Sequence, residues 1–364
     1  MNKTKLTLAI LLAAAVGCSK TYVVPAPEPD PNGKEPNAAV MSFGGQTRLS
    51  GTKSTFDPTV DGQLLWSSTD QLAVYSFKSG ESSPSAKDLC DIDLNGVGST
   101  DADFTPQNVT TPAGWVGGAA SSTVYNFYSF YPCTSSVPTP SGTGVKVNVS
   151  GSQGGTPESI VGNYQVCWGK TQKTAAQVIS TALVDFAFTP VTTLLYVKFV
   201  LVDAIQVEEE TIPCASTATI KSIDITSSDL AITGDMTLDL ETGAVTLSPA
   251  TDDTRHVRVT LSSPVAVDNS GVDTFWIPVV LAPSTSGTGT LSFSVVTGQG
   301  DTYACSAKSF PADGFKAGTR YYISRKFGIP LDNSADAFYT DAGNAWYIDT
   351  VVDDGAYTDA GNAW

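Results

Sequence analysis

Histidine is almost missing from this chain: one residue, His256, stands among 364. A Ser-His-Asp or Cys-His site would have to be built on it, yet it falls in Arg255-His256-Val257-Arg258-Val259, an alternating strand pattern. No catalytic residue is therefore expected, and the chain reads as a non-enzyme. Cysteine motifs are missing too. The six cysteines occur singly, with no C-x-x-C pair, so neither a zinc site nor any other metal ligand set is expected. Asp91-Ile92-Asp93-Leu94-Asn95-Gly96 imitates the start of a calcium loop, but its last ligand position holds Ala102 rather than Glu. Asn95-Gly96 reads better as a hairpin turn. Phosphate-cradling loops of the G-x-x-x-x-G-K type are lacking, and no cofactor is expected. Charge is scarce as well: 15% of residues are charged, and 20 Lys and Arg face 36 Asp and Glu, for a net charge of −16. That balance excludes nucleic acid as a partner, because a phosphate backbone rewards cations. Past the first eighteen residues, no run is long and apolar enough to cross a bilayer.

What is present begins with an export signal. Lys3 and Lys5 precede the apolar run Leu6 to Val16 and then Gly17-Cys18, the layout of a signal peptide over residues 1–17. Ala14-Ala15-Val16-Gly17-Cys18 resembles the bacterial lipobox, which implies that Cys18 is acylated (palmitate among its chains) and becomes the first mature residue. Several acyl chains on one residue make a durable anchor. Residues 18–37 carry Val24-Pro25-Ala26-Pro27-Glu28-Pro29-Asp30-Pro31, whose alternating prolines favour an extended tether.

The rest of the chain has strand periodicity. Ser122 to Tyr131, Gly144 to Ser150, Thr192 to Val202, His256 to Leu261, Thr290 to Val296 and Thr319 to Lys326 alternate apolar with polar or aromatic residues. Only Thr171 to Ser180 leans towards helix, as a short connector. Turn residues recur often, which suits antiparallel sandwiches rather than βαβ units. The expected fold is all-β: two consecutive antiparallel β-sandwich domains, 38–185 and 186–330, after the lipoprotein signal peptide and Pro-rich tether. Cys90, Cys133, Cys167, Cys214 and Cys305 then read as buried single thiols, although export permits disulfides and the number is odd. A tail over 331–364 repeats Tyr339 to Trp346 as Tyr357 to Trp364. Between the copies, Trp346, Ile348, Thr350 and Val352 would share one face of a strand.

Taken in order, several segments resemble the fimbrillins, major-pilin-like lipoproteins of Bacteroidales that build type V pili. They are the lipobox and tether, Val40-Met41-Ser42-Phe43, Trp66 to Tyr75, Tyr128-Ser129-Phe130-Tyr131-Pro132, Gly234 to Asp239 with Thr242-Gly243, and Ala317 to Tyr321. The duplicated tail is not part of that likeness. The resemblance implies a pilin of surface fimbriae that supports adhesion, placed at the cell outer membrane by its lipid anchor before processing. It implies assembly after an arginine-specific protease removes an early strand, so that the C-terminal strand of a neighbouring subunit fills the opening. Arg48 is the sole arginine before Arg255 and follows Val40 to Phe43 in a Gly-, Thr- and Ser-rich stretch, so Arg48-Leu49 is the candidate cut. The candidate donor strand is Ala345 to Asp353, with Trp346, Ile348, Thr350 and Val352 filling the groove. Partners would be other pilin subunits, identical or different, and a host or bacterial surface receptor. The rival reading is a monomeric surface lipoprotein that binds glycan on Trp115, Trp168 or Trp276.

Overall fold

The computed structural model describes residues 42–47, 66–97, 101–108, 112–207, 209–271, 275–284, 287–331, 338–339 and 347–350. The first strands along the chain are β1 (Ser42–Thr47), β2 (Gln71–Lys78), β3 (Ala86–Ile92), β4 (Asp101–Pro106) and β5 (Val124–Tyr131). There follow β6 (Gly144–Val149), β7 (Ser152–Gly155), β8 (Cys167–Thr174) and β9 (Leu183–Pro190). Next come β10 (Thr193–Leu201), β11 (Ala204–Val207), β12 (Glu210–Pro213), β13 (Thr217–Ser227), β14 (Gly234–Asp239) and β15 (Val245–Leu247). The remainder are β16 (His256–Asp268), β17 (Trp276–Leu281), β18 (Thr290–Thr297), β19 (Thr302–Ser309), β20 (Thr319–Phe327), β21 (Phe338–Tyr339) and β22 (Tyr347–Thr350). The six segments from Ser122 to Lys326 read as strands from their alternation each contain one, and the described residues are nearly all-β with mostly antiparallel pairing.

Seven of these strands close into a barrel in the order β1-β4-β3-β2-β5-β8-β9. Inward positions of that barrel include the buried rings of Phe43, Phe104, Phe127 and Phe186, and Trp66, just before β2, packs into the same core. Short helix α1 (Pro112–Val116) adds Trp115 to this core, held by a 2.6 Å hydrogen bond from Ser76 Oγ to its carbonyl. The stretch read as a helical connector divides. Thr171 to Thr174 finish β8, paired along β5, and the helix is Ala175–Thr181. Thr174 caps that helix, exchanging hydrogen bonds with Gln177 in a capping box, and so fixes where the strand gives way.

The other strands form a sheet β17-β10-β20-β22, a sheet β21-β19-β18-β13-β16-β7 and the smaller sheets β15-β14-β6 and β11-β12. Strand β10 reads Thr-Leu-Leu-Tyr-Val-Lys-Phe-Val-Leu, apolar on both faces, and it is used on both. Leu194 and Tyr196 join the barrel-side core, while Leu195, Val197 and Phe199 join a second core between the four- and six-stranded sheets. Two strands that precede β8 in sequence pair with partners far downstream, β6 with β14 and β7 with β16.

Candidate functional site

The opening strand carries the most unusual pairing in the fold. Strand β1 runs antiparallel to β4 and parallel to β9, bonded on both sides over most of its length, so it is what closes the barrel. Phe43 anchors it. The ring lies 5.0 Å from Trp115 edge-on, 6.1 Å from Phe186 stacked and 6.4 Å from Phe127. Edge-on and offset pairs of this kind add to what burial alone contributes. Gly44 to Thr47, part of the Gly-, Thr- and Ser-rich stretch before Arg48, are strand. The pairing offered by β4 and β9 overrides the low strand preference of two glycines. Strand β1 therefore ends at Thr47, one residue before Arg48 in the sequence. Arg48 and Leu49 lie outside the described residues, as do the signal peptide, Cys18, the tether, Trp346 and Val352.

Register places two carboxylates beside this strand. Gly44 is the partner of Asp103 on one side and Asp185 on the other. Both aspartates are exposed on the outer face, since their neighbours Ala102, Phe104, Val184 and Phe186 point inward and are buried. Although Asp103 is exposed as a residue, its carboxyl is partly desolvated by the surrounding protein, which raises it above its usual range, and the charges of Asp185 and Asp93 push it further up. This pair escaped the sequence reading. The alternation Asp101-Ala102-Asp103-Phe104 was visible, but nothing local says which strand lies opposite.

At the other end of the chain, β22 pairs antiparallel with β20, its residues Tyr347, Ile348, Asp349 and Thr350 opposite Tyr322, Tyr321, Arg320 and Thr319. It is the outermost strand of its sheet and has one neighbour among the described residues. Two of the candidate donor positions, Ile348 and Thr350, thus sit on a strand that is laid against its own molecule. The opposite edge of the same sheet, β17, is blocked differently. Buried Gln153 donates from Nε2 to the Val280 carbonyl at 2.6 Å and accepts from the Val280 N–H at 3.0 Å, standing in for a strand neighbour. No sequence signal marks Gln153 for that role.

Other motif residues converge on the barrel wall. Trp66 packs edge-on against Tyr131, whose hydroxyl donates to Asp70 Oδ1 at 3.0 Å. Near the β14–β15 turn, Glu241 accepts from both Lys170 and Tyr128, and Trp168 Nε1 donates to the Leu240 carbonyl at 3.0 Å. Trp115 is wholly buried, which corrects its place in the glycan-binding alternative: a ring packed on Phe43 has no face to offer a sugar. Trp276 packs edge-on against Tyr322, 5.5 Å between centroids.

The decoys are all committed locally. His256 Nε2 lies 2.8 Å from Asp224 Oδ1, and Arg258 holds the same carboxylate with two nitrogens, at 2.8 and 2.9 Å. Asp91 accepts from Gln71 and Gln107, and Asp93 from Asn95, within a single turn of 3-10 helix over Leu94–Gly96. Among the described residues no group of three His, Cys, Asp or Glu could hold a metal. The five cysteines after Cys18 are buried and form no disulfide among the described residues; burial pushes the Cys167 thiol up to about 12.

No protein-family model matches the chain, and no curated protein matches its sequence. Among solved structures it is similar to a candidate cell adhesion protein of Bacteroides uniformis, 12% identical, covering 87% of this chain and 99% of that one with a TM-score of 0.49. A fimbrial protein of Bacteroides vulgatus is 12% identical and covers 79% and 95%, with a TM-score of 0.41. A fimbrial assembly protein of Parabacteroides distasonis is also 12% identical and covers 85% and 95%, with a TM-score of 0.41.

Proposed function

We propose that the chain is a fimbrillin-type pilin, a structural subunit of surface fimbriae that assembles by replacement of its opening strand and supports adhesion. The observation that carries this reading is the double pairing of β1, which ends at the residue before the sole arginine of the first 254 residues. In this reading lipid on Cys18 holds the newly exported protein at the outer membrane. A cut between Arg48 and Leu49 then severs β1 from the body. Its departure bares the edges of β4 and β9 and uncovers Phe127, Phe186 and Trp115, so the slot must be refilled. An extended strand from a neighbouring subunit supplies main-chain hydrogen bonds along both edges and side chains for the core. This chain's own strand around Trp346, Ile348, Thr350 and Val352 leaves β20 to serve the next subunit. Each contact joins unlike surfaces and does not close on itself, which generates a filament.

Fimbriae sheared from cells test the scheme. This chain should begin at Leu49 in the fibre and run as a ladder resistant to sodium dodecyl sulphate, and deleting residues 339–364 should truncate that ladder. A lipidated Cys18 on subunits inside the fibre would sink the processing step. Ladders that survive the deletion would sink the tail as donor.

A further inference from the structure

We infer that the strand that replaces β1 comes from a different subunit and bears a lysine or arginine at the position of Gly44. The inference rests on the reading above, that β1 leaves, and it specifies the partner of that slot. Adjacent strands lie about 4.8 Å apart, so a residue at the Gly44 position is flanked by Asp103 on one side and Asp185 on the other. Directly opposed side chains on one face of a sheet interact, favourably for unlike charges and unfavourably for like ones. Gly44 places no side chain between the two carboxylates and leaves their repulsion standing. Among the described residues, the charges that push the Asp103 carboxyl up are those of Asp185 and Asp93, both negative. Two register positions further along β1, Gln46 is the partner of Asp101, a second aspartate of β4.

A second copy of this chain is the wrong occupant. Residues 331–364 hold seven aspartates and no lysine or arginine. Where the described part of the tail pairs with β20, the register sets Arg320 opposite Asp349. Beside Asp101, Asp103 and Asp185 the same tail meets like charge. The slot at β1 therefore selects a basic strand over a copy of this chain's own tail.

The full chain, cut after Arg48 with an arginine-specific protease, is titrated with fluorescent peptides and binding is read by anisotropy. The probes are Val40–Thr47 as it stands, its Gly44→Lys and Gly44→Asp forms, and Ala345–Asp353. In low salt the Gly44→Lys peptide should bind about tenfold tighter than Gly44→Asp, with the unchanged strand between them and the tail peptide weak. The preference should collapse in an Asp103→Asn/Asp185→Asn protein and shrink at high ionic strength. Equal binding of the two substituted peptides, or tightest binding by the tail, overturns the inference while leaving strand replacement intact. Failure of every peptide, the unchanged strand included, overturns strand replacement and the inference with it.

Discussion

Strands β1 and β22 sit at opposite ends of the chain and are held in opposite ways. The first is a central strand, bonded on both sides, with Phe43 buried among three aromatic rings. The last is a four-residue edge strand with one neighbour among the described residues. A strand of the first kind does not come away while it is covalently attached and its core ring is seated. A strand of the second kind frays at a cost of a few backbone hydrogen bonds, each worth about 1 kcal/mol net. In the proposed scheme, release at the front would therefore call for a covalent cut, whereas release at the back would need only competition.

Phe43→Ala should produce the largest effect. Truncating a fully buried phenylalanine costs about 3–5 kcal/mol, and the loss falls on the strand that closes the barrel. Removing residues 347–364 should cost only about 1–2 kcal/mol, because it gives up a short one-sided ladder. Denaturant unfolding of the uncut protein measures both. Equal costs would mean that the tail is as much a part of the fold as β1, and the contrast would break.

Gln153→Ala should come next, at about 2 kcal/mol, since it strands the N–H and carbonyl of Val280 at a buried sheet edge. This sharpens the comparison on a single sheet: β17 is closed by a side chain from its own body, while β20 is closed by a tail strand. Hydrogen exchange should then quicken at Val280 in the variant and leave β22 unchanged. Faster exchange at both edges would show that the two are coupled.

How much of this was legible depends on distance along the chain. Strands such as β5, β10 and β20 announce themselves because alternation and β-branched residues are local properties, and β10 even shows its two-faced burial as an unbroken apolar run. The start of the helix Ala175–Thr181 was blurred by Thr171 to Thr174, whose fate as strand depends on β5, about 45 residues upstream. Gly44 and Gly45 looked like loop because nothing nearby reveals that β4 and β9 will bracket them. Closure of the barrel by β1 was invisible for the same reason. So was the use of Gln153 as a surrogate strand, a contact spanning 127 positions.

The smallest effect separates two carboxylates by the sign of their pH dependence. Burial, reinforced by Asp185 and Asp93, lifts the Asp103 carboxyl above the ordinary range. Such a group contributes its stability below its unfolded pKa and loses it as pH rises through the folded one. Glu241 is the reverse. Hydrogen bonds from Lys170 and Tyr128 hold its carboxyl below the ordinary range, so its contribution is present above the unfolded pKa and lost as pH falls through the folded value. Asp103→Asn should therefore raise the thermal midpoint at neutral pH, and the gain should vanish in acid. Glu241→Gln should lower the midpoint at neutral pH, with its deficit also vanishing in acid. If Asp103→Asn leaves the neutral midpoint unchanged or lowers it, the carboxylates beside β1 are not under repulsion, and the proposed slot has no electrostatic reason to prefer a basic strand.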